Sequence, residues 1–334
     1  MAQKIYAIII LLPCLLFAQT VQDIGTTCDG TCSYSSITNW EAQNADATAV
    51  SGGYRGEAYN DATFDEAVSI VGWTTDATHP LEITVISGER HNGTAGTGAR
   101  WASSTNRTVQ PHESYLYVSW FEMGTSGGNG SPAVAHTSTA EAGTPKYFRH
   151  ILFANVVGDE TARTLSAPSS ATTVQYENCF FIRTTDAFHV FECTQASWTF
   201  DLYNITIRAA VTTSVGVRRT NGTVNCTNVA SFTPTCFSGT IGGTNNASSD
   251  ATAPGANSLI NLTIANQITS DTNLHIKAGA DISGAGTNTT SSMTDDFDID
   301  NEAWPAAGAI NMGADHVVAA GGAQFDPGRK PQVL

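Results

Sequence analysis

The side chains best suited to chemistry crowd together near the C-terminus, where Asp295, Asp296, Asp298, Asp300 and Glu302 fall within one short stretch. Asp296, Asp298 and Asp300 alternate as the first ligands of a calcium loop do, because alternate carboxylates in a tight turn converge on one hard cation. An EF-hand would then need Gly at position 301 and Glu at position 307, where this chain has Asn301 and Ala307. The pattern excludes an EF-hand and predicts a looser structural Ca²⁺ clip at Asp296, Asp298 and Asp300, weighed against a solvated acidic turn. No other cofactor is expected.

Further candidates lie on strand-like runs: the carboxylates Glu177, Asp186, Glu192 and Asp201, and the cations Arg183, Arg208, Arg218 and Arg219. A glycoside hydrolase needs two carboxylates across a groove, and a lyase needs a basic side chain beside a neutralised uronate. Arg183 and Arg208 are 208 − 183 = 25 residues apart, a spacing that would stack them on one face of a repeating fold. His91, His150 and His189 have no metal-ligand spacing. No G-x-S-x-G elbow occurs, and the Gly93–Gly98 run lacks a P-loop lysine. The residues assemble no catalytic set, so the reading leans away from an enzyme.

Elements must position these groups, and composition narrows the choice. The 334 residues include 45 Thr, 27 Ser, 21 Asn and 30 Gly, all poor helix formers. Thr suits strands, while Asn and Gly suit tight turns. Charged residues are only 13%, and 30 acidic against 15 basic residues give a net charge of -15. Nucleic acid is excluded as a partner, because phosphate neutralisation needs clustered Lys and Arg. Lys4 followed by the apolar run Ile5–Phe17 reads as a secretory signal over residues 1–19, too short to span a bilayer. The chain is expected to be secreted, extracellular or at the cell surface, with no membrane span after signal removal.

A polar, cysteine-bearing region follows over residues 20–53, with one short helix around Asn39–Asn44. From residue 54 onward, apolar β-branched and aromatic runs alternate with Gly, Asn, Ser and Thr. Strands are expected at Leu81–Ile86, Tyr115–Phe121, Phe148–Val157, Val174–Ile182, Phe188–Glu192, Trp198–Ile207 and Leu259–Ile264. A motif of apolar residue, spacer, Asn and apolar residues recurs at Asn155, Asn178, Asn204, Asn228 and Asn261. Its spacings are 178 − 155 = 23, 204 − 178 = 26, 228 − 204 = 24 and 261 − 228 = 33, with Ser238–Ser258 read as an insertion in the last. Such a period predicts an all-β, right-handed parallel β-helix over residues 54–278, preferred to a β-sandwich, with a C-terminal cap and tail over 279–334. Each coil would stack on the next at about 4.8 Å, aligning like residues in ladders.

The same register bears on the cysteines. Cys28 and Cys32 are near enough in sequence to pair. Cys179 with Cys193, and Cys226 with Cys236, are the other disulfides expected, each within a coil or across one turn. Glycosylation sequons stand at Asn92, Asn106, Asn204, Asn221, Asn225, Asn246, Asn261 and Asn288, against about 4.5 from chance in so Asn-, Ser- and Thr-rich a chain.

Two stretches carry a resemblance. The segment Thr63–Trp101, with Gly72-Trp73-Thr74-Thr75-Asp76-Ala77-Thr78-His79 and the run Gly88–Arg100, resembles uncharacterised right-handed β-helix proteins of environmental bacteria and phages. Asp296–Asn301 followed by Asn311-Met312-Gly313-Ala314-Asp315 resembles the tail that closes many exported β-helix surface proteins. This chain departs from that tail by Asn301 for Gly, Trp304-Pro305 for Arg-Pro, and Asn311-Met312 for Asp-Ile. The resemblance touches roughly residues 54–101 and 279–316. It implies a pectate-lyase-like fold and a surface or particle location, and no catalytic residue. The expectation is a structural or interaction protein that self-associates into a filament and carries glycans. The alternative is a polysaccharide-binding or polysaccharide-cleaving protein using Trp120, Trp198 and Tyr203 along a groove.

Overall fold

The computed structural model describes residues 19–30, 32–45, 53–105, 107–125, 132–137, 145–156, 161–166, 171–183 and 189–317. The apolar N-terminal run, Asn106, Asp186 and residues from 318 onward lie outside them.

The chain winds as a parallel β-solenoid. A 14-stranded sheet and a 7-stranded sheet form its walls, and strands pair within both in parallel. The larger sheet bends over a corner. Before the corner it carries Tyr54–Ala58, Leu81–Val85, Leu116–Ser119 and Lys146–Arg149; beyond it lie Arg100–Ser103, Glu122–Thr125 and Leu152–Val156. Three long strands, Thr172–Arg183, Trp198–Ala209 and Thr223–Phe232, run through the corner and join both parts. Alternation sends every second side chain inward, where like residues stack. Phe148 lies on Tyr176 with ring centroids 4.9 Å apart, and Phe153 on Phe181 at 4.5 Å. Burying each such ring stabilises the fold by about 1.5–3 kcal/mol.

At the first coil, the helix Ile37–Asn44 covers the open end of the core. Ser36 caps it, its hydroxyl accepting from the Asn39 amide, and Ile37 and Trp40 are buried. The outermost strand of the large sheet, Thr20–Ile24, leaves Val21 52% exposed.

Seven residues at the corner adopt left-handed backbone: Trp120, His150, Asn178, Asn204, Asn228, Asn245 and Asn257, with φ between 51° and 68°. Asn favours this region because its short amide bonds locally. Pairing of Leu152 with Phe180 aligns His150, rather than Asn155, with Asn178, so the first expected rung is corrected by five residues. Asn261 is likewise off the ladder, which continues at Asn245 and Asn257. The stretch Ser238–Ser258 is therefore no insertion. It forms two abbreviated coils, and aligned residues fall 28, 26, 24, 17 and 12 positions apart in succession. The solenoid tapers. Gly243 is needed there, since a Cβ would come within 1.7 Å of the Cys226 carbonyl oxygen in the coil above. The strand expected at Leu259–Ile264 is absent; Leu259 makes one bridge to Ala247 and Ile264 opens the short helix Ile264–Gln267.

After an antiparallel hairpin of Ile268–Ser270 with Asn273–Ile276, the chain turns back along the outside of the corner. The described part of the C-terminal stretch is a flange on the side of the coils rather than a cap across their end. Beneath it Leu152, Phe180, Ala230 and Ala247 face outward and pack with Ile276, Ile282, Ile299, Met312 and Ala314.

Candidate functional site

The densest assembly of polar side chains lies where the corner ladder meets the flange. The ladder amides bond to one another: Asn204 Nδ2 donates to Asn178 Oδ1 at 3.1 Å, and Asn228 Nδ2 to Asn204 Oδ1 at 2.9 Å. Each rung also bonds outward. Trp304 Nε1 donates to Asn178 Oδ1, Thr289 Oγ1 to Asn204 Oδ1, Asn228 Nδ2 to the Thr287 carbonyl, and Asn245 Nδ2 to the Ala285 carbonyl. These bonds satisfy buried amide groups that would cost about 1–3 kcal/mol each if unpaired, although Asn178 Nδ2 is left without a partner among the described residues.

Toward the N-terminal coils the rungs become aromatic. His150 stacks on Trp120 at 4.0 Å and 4°, and Arg90 lies over the Trp120 ring at 4.5 Å. His150 Nε2 is 3.2 Å from Asp295 Oδ2. Burial pushes the His150 imidazole down, opposed by Asp295. His91 is pushed down to about 4 by burial; its Nε2 donates to the His150 carbonyl and its Nδ1 accepts from the Gly93 amide, the bonding of a neutral ring. Glu177 is fully buried, and burial pushes its carboxyl up to about 7. Gln175 Nε2 and the Thr294 backbone amide and hydroxyl donate to it.

Beside this assembly, one ligand-type atom each from His275, Asp300 and Asp315 lies within 4.8 Å of the others. This group shares only Asp300 with the expected calcium clip. Asp298 is fully buried and spent on backbone, accepting from the Asp300, Glu302 and His316 amides. Asp296 is exposed, and neither it nor Asp298 belongs to the convergent group, in which Asp300 turns to His275. His275 and Asp315 were not singled out because they sit 25 and 15 residues from Asp300 in opposite directions (300 − 275 and 315 − 300).

The other expected residues scatter. Arg183 is in register with Ala209, and Arg208 with Ile182, so the two alternate faces instead of stacking. Arg208 pairs with Asp271 at 2.7 Å, Arg218 with Glu192 at 3.2 Å, and Arg219 Nε donates to the Gly222 carbonyl. Asp201 accepts from Asn225 Nδ2. Trp120 and Trp198 are buried, while Tyr203 is half-buried.

Cys28 and Cys32 form a disulfide. Cys179, Cys193, Cys226 and Cys236 are buried free thiols, correcting both further pairings. The members of each expected pair sit on different walls: Cys179 and Cys226 on the long strands, Cys193 and Cys236 on the 7-stranded sheet. Of the sequons, Asn92, Asn221 and Asn261 are exposed. Asn204 and Asn246 are fully buried with their amides bonded, so neither can carry a glycan on the folded chain. Asn225 and Asn288 are partly buried and donate to Asp201 and the Pro305 carbonyl.

An open groove of about 300 Å³ lies beside the flange, lined by Gln19, Pro80, Glu82, Tyr117, Arg149 and Thr294. No helix among the described residues is long and apolar enough to cross a membrane. No protein-family model matches this chain, and no curated protein matches it.

Proposed function

We propose that the chain is an exported structural or interaction protein of a cell or particle surface, glycosylated at Asn92, Asn221 and Asn261, that self-associates through its wide N-terminal end. The observation that carries this reading is the asymmetry of the two ends. Beyond Thr20–Ile24, only Tyr34 among the described residues pairs with the outer edge of the first strand, and Val21 stands exposed there. An open edge of this kind recruits another strand. The opposite end narrows to an abbreviated coil, whose outline does not match the wide one, so head-to-tail stacking into a filament is disfavoured and pairing of two wide ends is favoured. Analytical ultracentrifugation of the secreted chain tests this. Dimers that dissociate on Val21→Lys substitution are expected; a monomer at all concentrations would dismiss the assembly.

A second reading, polysaccharide binding, draws on the groove. Tyr117 and Tyr147 stack there at 4.5 Å, Arg149 lies over Tyr117, and Glu82 pairs with Arg149 at 2.9 Å. Aromatic edges beside charged hydrogen-bonding groups suit sugar hydroxyls. A screen of acidic and neutral polysaccharides for retention and for depolymerisation separates binding from cleavage.

A further inference from the structure

We propose that His275, Asp300 and Asp315 form a binding site for a divalent transition metal of the zinc type, clasping the C-terminal hairpin to the flange. The three come from separate segments: His275 from the strand Asn273–Ile276, Asp300 from the acidic turn, and Asp315 from the end of the flange.

Hydrogen bonding determines which ring nitrogen of His275 is available. The backbone amide of His275 donates to Asn273 Oδ1 at 3.1 Å, which identifies that atom as the oxygen of the amide. The same oxygen contacts His275 Nδ1, so Nδ1 carries the proton. In the neutral ring Nε2 is then a lone pair, and it faces both carboxylate oxygens of Asp300 at 3.0 Å. Acceptors set face to face require a cation between them, either a proton on Nε2 or a metal ion. An outer oxygen holding Nδ1–H and aiming Nε2 at the metal is the arrangement that orients a ligating histidine.

The surroundings favour the metal. Asp315 is 5% exposed, and one of its oxygens accepts from the Ile276 amide at 2.6 Å, leaving the other for a ligand. Among the described residues His275 is the only cationic side chain in ion-pair contact with Asp300, and none contacts Asp298 or Asp315. Three carboxylates thus share one imidazole, and a dication would leave one net negative charge where a ring proton leaves two. Tetrahedral ligands bound at 2.0–2.2 Å stand about 3.3–3.6 Å from one another, so the 3.0 Å separation of His275 and Asp300 opens by a few tenths of an ångström when the ion is seated. One imidazole with carboxylates selects zinc and its neighbours over calcium, which prefers oxygen throughout. Gly93 closes over the site from the facing loop. A Cβ there would lie 2.7 Å from both Asp300 Oδ1 and His275 Nε2, so only glycine lets the loop come this near.

The test is calorimetric titration of the chelator-treated, full secreted chain with ZnCl₂, and separately with CaCl₂. One equivalent of zinc bound in preference to calcium, with a rise in melting temperature, is expected. His275→Gln and Asp315→Asn should each weaken zinc binding at least about tenfold, as loss of even an outer partner does. Should a variant misfold, zinc-edge X-ray absorption of the wild-type chain decides alone, the expected first shell holding one imidazole and oxygen donors. Absence of binding, affinity unchanged in both variants, preference for calcium, or a first shell without imidazole would each overturn the site.

Discussion

An asparagine at the corner meets two demands with one side chain, supplying a left-handed backbone and an amide to bond above and below. Asn204 does most, bonding to Asn178, Asn228 and Thr289. Asn204→Gly and Asn204→Ala both lose these bonds, and both are expected to destabilise by about 2–4 kcal/mol. Alanine also bears the left-handed strain, so it should be worse by about 1 kcal/mol in chemical denaturation; equal losses would show that the backbone relaxes. Glu177 gives a pH signature. Its folded value of about 7 exceeds the ordinary 4.5, so the folded chain holds more protons between these values. The stability it contributes is complete below 4.5 and is lost as pH rises through 7. Glu177→Gln and wild type should therefore melt alike near pH 4.5, with the variant higher at pH 8 by at least about 3 °C. The Asn rungs were legible because their chemistry is local. His150 and Trp120 were not, since neither residue type suggests a left-handed corner; only the register with Asn178 identifies His150.

At the level of elements, strands along the coils were legible from their β-branched and aromatic runs, as was the helix around Trp40. The flange was not. It has little regular structure, and its hold depends on bonds between residues 59 to 126 positions apart, which no local pattern encodes. The acidic turn suggested a metal loop, but backbone amides consume Asp298 and only Asp300 joins a ligand group. Trp304 is a buried anchor of the flange, bonded to Asn178. Trp304→Ala is expected to raise amide exchange across residues 286–316 by an order of magnitude or more, while Phe191–Cys193 on the far wall keeps its protection. Uniform loss of protection would mean that flange and coils form one cooperative unit.

Across the whole molecule, stacked coils enclose a continuous core, and the four free thiols report on it. Burial pushes Cys193 up to about 11, and Cys179 and Cys226 are also pushed well up. Alkylation at pH 8 should leave all four unmodified in the native chain and label all four in denaturant without reductant. A bonded Cys179–Cys193 or Cys226–Cys236 pair in peptide mapping would restore the pairing that sequence spacing suggested. Spacing misled because neighbours along one coil occupy opposite walls, a fact of the cross-section rather than of the chain. The solenoid itself was legible from its Asn period, whereas the taper was not, because shortening coils imitate an inserted loop. The route of the flange has a last consequence for how the molecule comes into being. Coils can pile up in the order they emerge during synthesis, each finding its partner already formed. The ladder amides must wait in water until residues near 287–304 arrive, so the closing step of folding belongs to the end of the chain, and a polypeptide halted before it would be a wound but unlatched spring.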